Sequence, residues 1–155
     1  MSGREVYSPP PEIVFDAEPL VAHADEEPGY EKVAAYLDAV ADGVSQGYLN
    51  RVNATEVRYI LGRKYGESVA DEYFEWLGTI GIHPTQGQRV WETASDYILD
   101  YNPALGDAYA LATADRLGAT LLIGGDDDYN EIIGDADACL SIERFRHGSA
   151  YPETH

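Results

Sequence analysis

With 155 residues and 45% apolar content, the chain has room for one domain with its own packed core, which excludes a disordered polymer and any need for disulfides. A single cysteine, Cys139, excludes a disulfide framework and a cysteine-based zinc site; no apolar run approaches the roughly 18 residues of a membrane span, and Met1 to Pro11 lacks the regions of a signal peptide, so a cytoplasmic protein is expected. Twenty-eight acidic residues against ten basic ones give a formal charge of −18, too large for an ordinary surface; it reads as a halophile's protein, since near 1 M salt the Debye length falls to about 3 Å, or as one with a strongly basic partner.

Residues 1–11, with Ser8-Pro9-Pro10-Pro11 at their end, read as a flexible lead-in to a domain over 12–143. Ile13-Val14-Phe15 is a short apolar strand that delivers Asp16 at its carboxyl end, and a helix follows from Glu18 to Ala24. Val33, Tyr36, Leu37, Val40 and Ala41 mark an amphipathic second helix. Val44 to Val52 reads as a strand. Asn53 with Glu56 three residues on resembles a capping box opening a third helix, with Val57, Ile60 and Leu61 inward and Gly66 at its end.

Val69, Tyr73, Trp76, Leu77 and Ile80 mark a fourth helix, a short strand is expected at Ile82, and Val90, Ala94, Tyr97 and Ile98 mark a fifth helix. Asn102-Pro103 opens a sixth with Leu105, Ala108, Leu111 and Ala112 inward, closed by Gly118. Ala119 to Ile123 and Ala138 to Ile142 are the last strands, with Cys139 packed, and a polar tail is expected over 144–155. Helices alternating with short, continuous apolar strands predict an α/β fold, a three-layer α/β/α sandwich on a mainly parallel sheet of four or five strands.

Ligands of such sheets bind at the carboxyl ends of the strands. Four acids fall there: Asp16 after the first strand, Glu56 and Asp107 in the opening turns of helices three and six, and Asp126 after the strand ending at Ile123. Carboxylates sharing a site raise one another's pKa unless a cation joins them, and oxygen ligands without Cys or His suit Mg²⁺ or Mn²⁺. Singly, Glu56 also reads as half of a capping box and Asp107 as a partner of the helix dipole. Asp126 to Asn130 imitates the start of a calcium loop but has Glu131 where the loop needs glycine. His23, His83, His147 and His155 show no metal-ligand spacing.

Four segments resemble, in order, the motifs of PIN-domain proteins, VapC ribonucleases above all: Ile13-Val14-Phe15-Asp16-Ala17, Asn53-Ala54-Thr55-Glu56-Val57, Leu105 to Ala112, and Ala119 to Tyr129. The resemblance implies a Mg²⁺-dependent endoribonuclease, the toxin of a toxin-antitoxin pair, with catalytic and metal-holding Asp16, Glu56, Asp107 and Asp126, and Asp128 as a helper. It also implies an RNA substrate cut to 5′-phosphate and 3′-hydroxyl ends, a homodimer, and an antitoxin that blocks the pocket. Two positions depart from the pattern. Gly124 stands where the family often has Thr or Ser, and Glu18 where a hydroxyl or amide is usual.

Phosphate contacts ordinarily need basic surface. Arg51, Arg58, Arg63 and Lys64 concentrate positive charge around the third helix, with Arg58, Arg63 and Lys64 the candidate RNA contacts and Arg144 and Arg146 a second group. Two rival functions remain open, a PIN nuclease in RNA maturation without an antitoxin and a catalytically silent binding module. A phosphoacceptor receiver domain would need a lysine late in the chain, and none follows Lys64.

Overall fold

The computed structural model describes residues 7–146; the start of the expected lead-in and most of the expected tail lie outside the described residues. In chain order the elements are β1 (Glu12–Phe15), α1 (Ala17–Asp25), α2 (Tyr30–Ala41), β2 (Gln46–Asn50), α3 (Arg51–Tyr65), α4 (Glu67–Thr79), β3 (Pro84–Thr85), α5 (Val90–Tyr101), α6 (Leu105–Leu117), β4 (Thr120–Ile123), α7 (Asn130–Ile133) and β5 (Ser141–Arg144). The five strands form one parallel sheet in the order β3-β2-β1-β4-β5. Among the described residues no helix is long and apolar enough to cross a membrane.

The central strand explains the three layers. Successive side chains of β1 point to opposite faces. Ile13 and Phe15 enter one core with Leu20, Val33, Leu37, Val57 and Leu77 from α1 to α4, while Val14 enters a second with Ala110, Leu111 and Ala114 of α6. Both faces of β1 and β4 are covered, so their sequences are continuously apolar. Each fully buried Leu or Phe contributes about 1.5–3 kcal/mol of transfer free energy. α5 packs outside α6 through Val90 and Ala94 against Ala108 and Ala112, where small side chains let the helices approach closely.

Several boundaries differ from the sequence reading. α3 starts at Arg51, not Asn53: Asn50 has extended backbone where strand becomes helix, and its side chain accepts from Val52 N–H at 2.8 Å. Asn53 therefore lies inside the helix, fully buried, and the capping box gives way to a different role for Asn53 and Glu56. Ile82 is a core side chain packed against Gly47, and the strand forms two residues later. Leu105 is exposed at the start of α6, whose core face begins at Ala108.

Cys139 is exposed, because register with β4 starts β5 at Ser141, opposite Thr120. At the other end of that strand order continues past residue 143. Arg144 pairs with Ile123, and Phe145 and Arg146 are both buried. The end of the lead-in is also tied down: Ser45 Oγ donates to Pro10 O at 2.7 Å and Gln46 N–H to Pro11 O at 2.8 Å.

Candidate metal centre

Strand order reverses between β1 and β4. From β1 the chain steps outward to β2 and β3, then returns to start again at β4 on the other side. That reversal opens a crevice at the carboxyl ends of the two strands. Asp16 leaves β1 there, Asp126 follows β4, Asp107 comes from the first turn of α6, and Glu56 from α3. All four line one cleft of about 380 Å³ together with Glu18, Glu27 and Arg146.

Asp16 is 4% exposed and caps α1, its Oδ1 accepting from Ala17 N–H at 2.8 Å. Its backbone N–H donates to Leu122 O at 3.1 Å, which fixes the turn out of β1 against β4. The buried Asn53 amide joins the acids: Nδ2 lies 3.4 Å from Asp16 Oδ1, 3.2 Å from Glu56 Oε1 and 3.0 Å from Gly106 O. Gly106 leaves the room that the Glu56 carboxylate occupies, since a Cβ there would stand 2.4 Å from Glu56 Oε1. The Gly-Asp pair opening α6 thus admits one carboxylate and presents another.

Tyr129 completes the arrangement and was not singled out from sequence. It is fully buried, and its hydroxyl lies 2.7 Å from Asp16 Oδ2 and 3.0 Å from Asp107 Oδ1. One hydroxyl proton serves one of two carboxylates. The other contact is satisfied when that carboxyl carries a proton of its own.

The electrostatics agree. Burial pushes Asp16 well above the usual carboxylate range, against the hydrogen bonds from Tyr129 and Ala17, with the charges of Glu56 and Glu18 adding to the rise. Asp107 is raised by burial, then by the charges of Asp16 and Asp126. Glu56 is raised by burial as well. A metal-free crevice therefore holds protons that a divalent ion would replace.

Oxygens of Asp107, Asp126 and Asp128 lie within 4.8 Å of one another. Asp128, a helper in the sequence reading, is thus in the converging trio, whereas Asp16 connects to it through Tyr129 and Glu56 through Asn53. Asp126 caps the turn Asp127–Tyr129 by accepting from Asp128 N–H at 2.9 Å. Asn53 Oδ1 is buried without a hydrogen-bond partner. Converging carboxylate oxygens with raised acids beside them fit a hard divalent cation such as Mg²⁺ or Mn²⁺.

The basic residues of α3 lie elsewhere than in the cleft lining. Arg58 pairs with Glu67 at 2.8 Å and Asp71 at 3.0 Å, Lys64 pairs with Asp25 at 2.6 Å, and Arg63 lies over the Tyr59 ring. Among the described residues the cation that lines the cleft is Arg146, bound to Glu18 and Glu27.

A parallel α/β/α sandwich with acids from β1, α3, α6 and the loop after β4 gathered at its strand-order reversal defines a class of metal-binding domain. The chain belongs to the PIN domain family, whose model matches residues 13–134. PIN domains are generally nucleases and typically bind divalent metals. No curated protein matches the sequence.

Solved structures share the fold. VapBC2 from Rickettsia felis, bound to a DNA fragment from its promoter, matches with a TM-score of 0.67 at 10% identity over 86% of this chain and 98% of its own. FitAcB from Neisseria gonorrhoeae matches with a TM-score of 0.53 at 20% identity, covering 84% and 95%. FitAB bound to an IR36 DNA fragment matches with a TM-score of 0.57 at 18% identity, covering 92% and 99%.

Proposed function

We propose that this chain is a Mg²⁺- or Mn²⁺-dependent endoribonuclease and the toxin of a toxin-antitoxin pair. The observation that carries the reading is the connected set Glu56–Asn53–Asp16–Tyr129–Asp107, ending in the Asp107, Asp126 and Asp128 oxygens within 4.8 Å. In this reading Asp16, Glu56, Asp107 and Asp126 are the catalytic acids, and Asp107, Asp126 and Asp128 hold the ion with Asp16 beside them. A bound ion of this class lowers the pKa of a water and offsets charge developing on a phosphoryl group.

The chain's own groups do the rest. Tyr129 fixes the angle between Asp16 and Asp107, and Asn53 holds Glu56 at the cleft wall. Glu56, raised by its burial, is suited to take up a proton from the attacking water. In-line attack by water on phosphorus would break the P–O3′ bond, and the 3′ oxygen leaves and takes up a proton, giving 5′-phosphate and 3′-hydroxyl ends. Arg58 sits in exposed ion pairs, which are weak and exchange readily for RNA phosphates, with Arg63 and the half-exposed ammonium of Lys64 on the same helix. The VapBC and FitAB neighbours support an antitoxin partner, and a cytoplasmic homodimer follows from the same reading.

The test is cleavage of an RNA panel, tRNA included, in molar KCl with Mg²⁺ or Mn²⁺. Wild type should cut, EDTA should stop it, and Asp107→Asn should lose about a thousandfold or more of the rate, as removal of a group at the reacting centre does. No cutting by folded, antitoxin-free wild type would replace the nuclease with a silent binding module.

A further inference from the structure

The two departures from the motif pattern face each other. Gly124 follows β4, and Glu18 lies in the first turn of α1. A Cβ at Gly124 would stand 2.0 Å from Glu18 Cδ and 2.2 Å and 2.3 Å from its carboxylate oxygens. The Glu18 carboxylate therefore fills the seat that a side chain at position 124 would need.

A carboxylate on a flexible stem ordinarily swings aside, but this one is held. Arg146 donates to Glu18 Oε2 from Nη2 at 2.8 Å and Nε at 3.2 Å, and Gly125 N–H donates to the same oxygen at 3.3 Å. Arg146 is anchored in turn, donating to Pro28 O at 3.1 Å and to Glu27 Oε1 at 3.0 Å. From the other side Arg144 Nη1 donates to Gly124 O at 2.6 Å and Asp126 O at 3.1 Å, and Nη2 to Asn130 Oδ1 at 2.8 Å. The loop presenting Asp126 is clamped twice, by Arg144 directly and by Arg146 through Glu18.

We propose that Glu18 is a positioning residue: seated in the space left by Gly124 and fixed by Arg146, its carboxylate replaces a side chain at 124 and holds the Asp126 loop through Gly125 N–H, without being a fifth metal ligand. The inference rests on the crevice being a metal site. Glu18 Oε2 already accepts three donors, and the converging oxygens belong to Asp107, Asp126 and Asp128. The lost hydroxyl at 124 and the gained acid at 18 are then one exchange.

The experiment measures metal-free melting temperature and Mn²⁺ affinity by calorimetry for wild type, Gly124→Ser, Glu18→Ser, the double variant, Glu18→Gln and Asp107→Asn. Gly124→Ser alone should lower the melting temperature by roughly 3–6 °C and weaken Mn²⁺ about tenfold, because it evicts the seated carboxylate. In the Glu18→Ser background the same change should cost little and restore affinity, a non-additivity expected of residues in contact. Glu18→Gln, which keeps the seat filled, should weaken Mn²⁺ far less than Asp107→Asn.

Additive effects would overturn the interlock, and a Glu18→Gln loss equal to that of Asp107→Asn would make Glu18 a ligand. If Gly124→Ser fails to fold, recovery in the double variant supports the proposal and failure of the double sinks it. A wild type that binds no Mn²⁺ would remove the metal reading, while the melting-temperature cycle still decides whether the two positions interlock.

Discussion

The acids of the crevice and the acids of the surface are the same residue types in opposite circumstances. Among the described residues six acids line the cleft, and there Asp16 and Asp107 are drawn out of water and bridged by one tyrosine. On the surface Glu67, Asp71 and Glu92 meet arginine in pairs open to solvent. The difference teaches that charge count alone does not set these acids apart: Asp16 and Asp107 are distinguished by burial, because a dehydrated carboxylate needs a partner of its own whereas a hydrated one needs only screening, while Asp126 and Asp128 reach the same crevice from an exposed loop.

The largest effect expected from this contrast belongs to the surface. A net charge of −18 opposes the compact state, and screening weakens as the Debye length grows to about 30 Å near 0.01 M salt. Circular dichroism on diluting KCl from molar to millimolar concentrations should show loss of cooperative structure. A fold indifferent to that dilution would remove the case for a halophile's protein and leave the acidic surface to a basic partner.

The next effect belongs to the crevice and answers to protons. Burial lifts Asp16 from 3.8 to about 7 and Asp107 from 3.8 to about 9. Because the folded state holds these protons after the unfolded chain has released them, their contribution is full below about pH 4 and is lost as pH rises through the folded values. The metal-free protein should therefore lose stability between about pH 4 and pH 9. Asp107→Asn should flatten that slope and melt higher than wild type near pH 8, and Mn²⁺ should stabilise wild type more at pH 8 than at pH 5. Equal slopes in wild type and variant would separate the crevice from the pH response.

What the sequence made legible, and what it hid, follows the same division. β1, β4 and α6 carry strong periodic or continuous apolar signals, so the acids at their ends were readable along with the parallel sheet. Asn50 was hidden because Asn53 and Glu56 imitate a capping box at the spacing that instead lets Asn53 hold Glu56 from inside the helix. Tyr129 was legible as the aromatic closing the fourth motif but not as a site residue, since only the fold brings its hydroxyl back between β1 and α6. Arg144 and Arg146 read as tail because their partners lie more than 100 residues earlier, at Glu18 in the first turn of α1 and at Pro28, or at Gly124 just after β4.

The smallest expected effect is the sharpest on that comparison, since it asks whether one hydroxyl in the crevice outweighs its counterpart on the surface. Tyr129→Phe keeps the ring and removes the donor shared by Asp16 and Asp107, leaving buried acceptors unmatched at a cost of about 1–3 kcal/mol. Both acids should rise further, and Mn²⁺ affinity should fall about tenfold, as losing an outer partner of a metal ligand does. Tyr97→Phe removes a like hydroxyl from an exposed contact, 2.8 Å from Asp115 Oδ2, where water replaces it. Denaturant unfolding and Mn²⁺ titration of the two variants should therefore diverge, with Tyr97→Phe close to wild type in both. Equal behaviour would mean that burial, and not the tyrosine bridge, sets the geometry of the two acids.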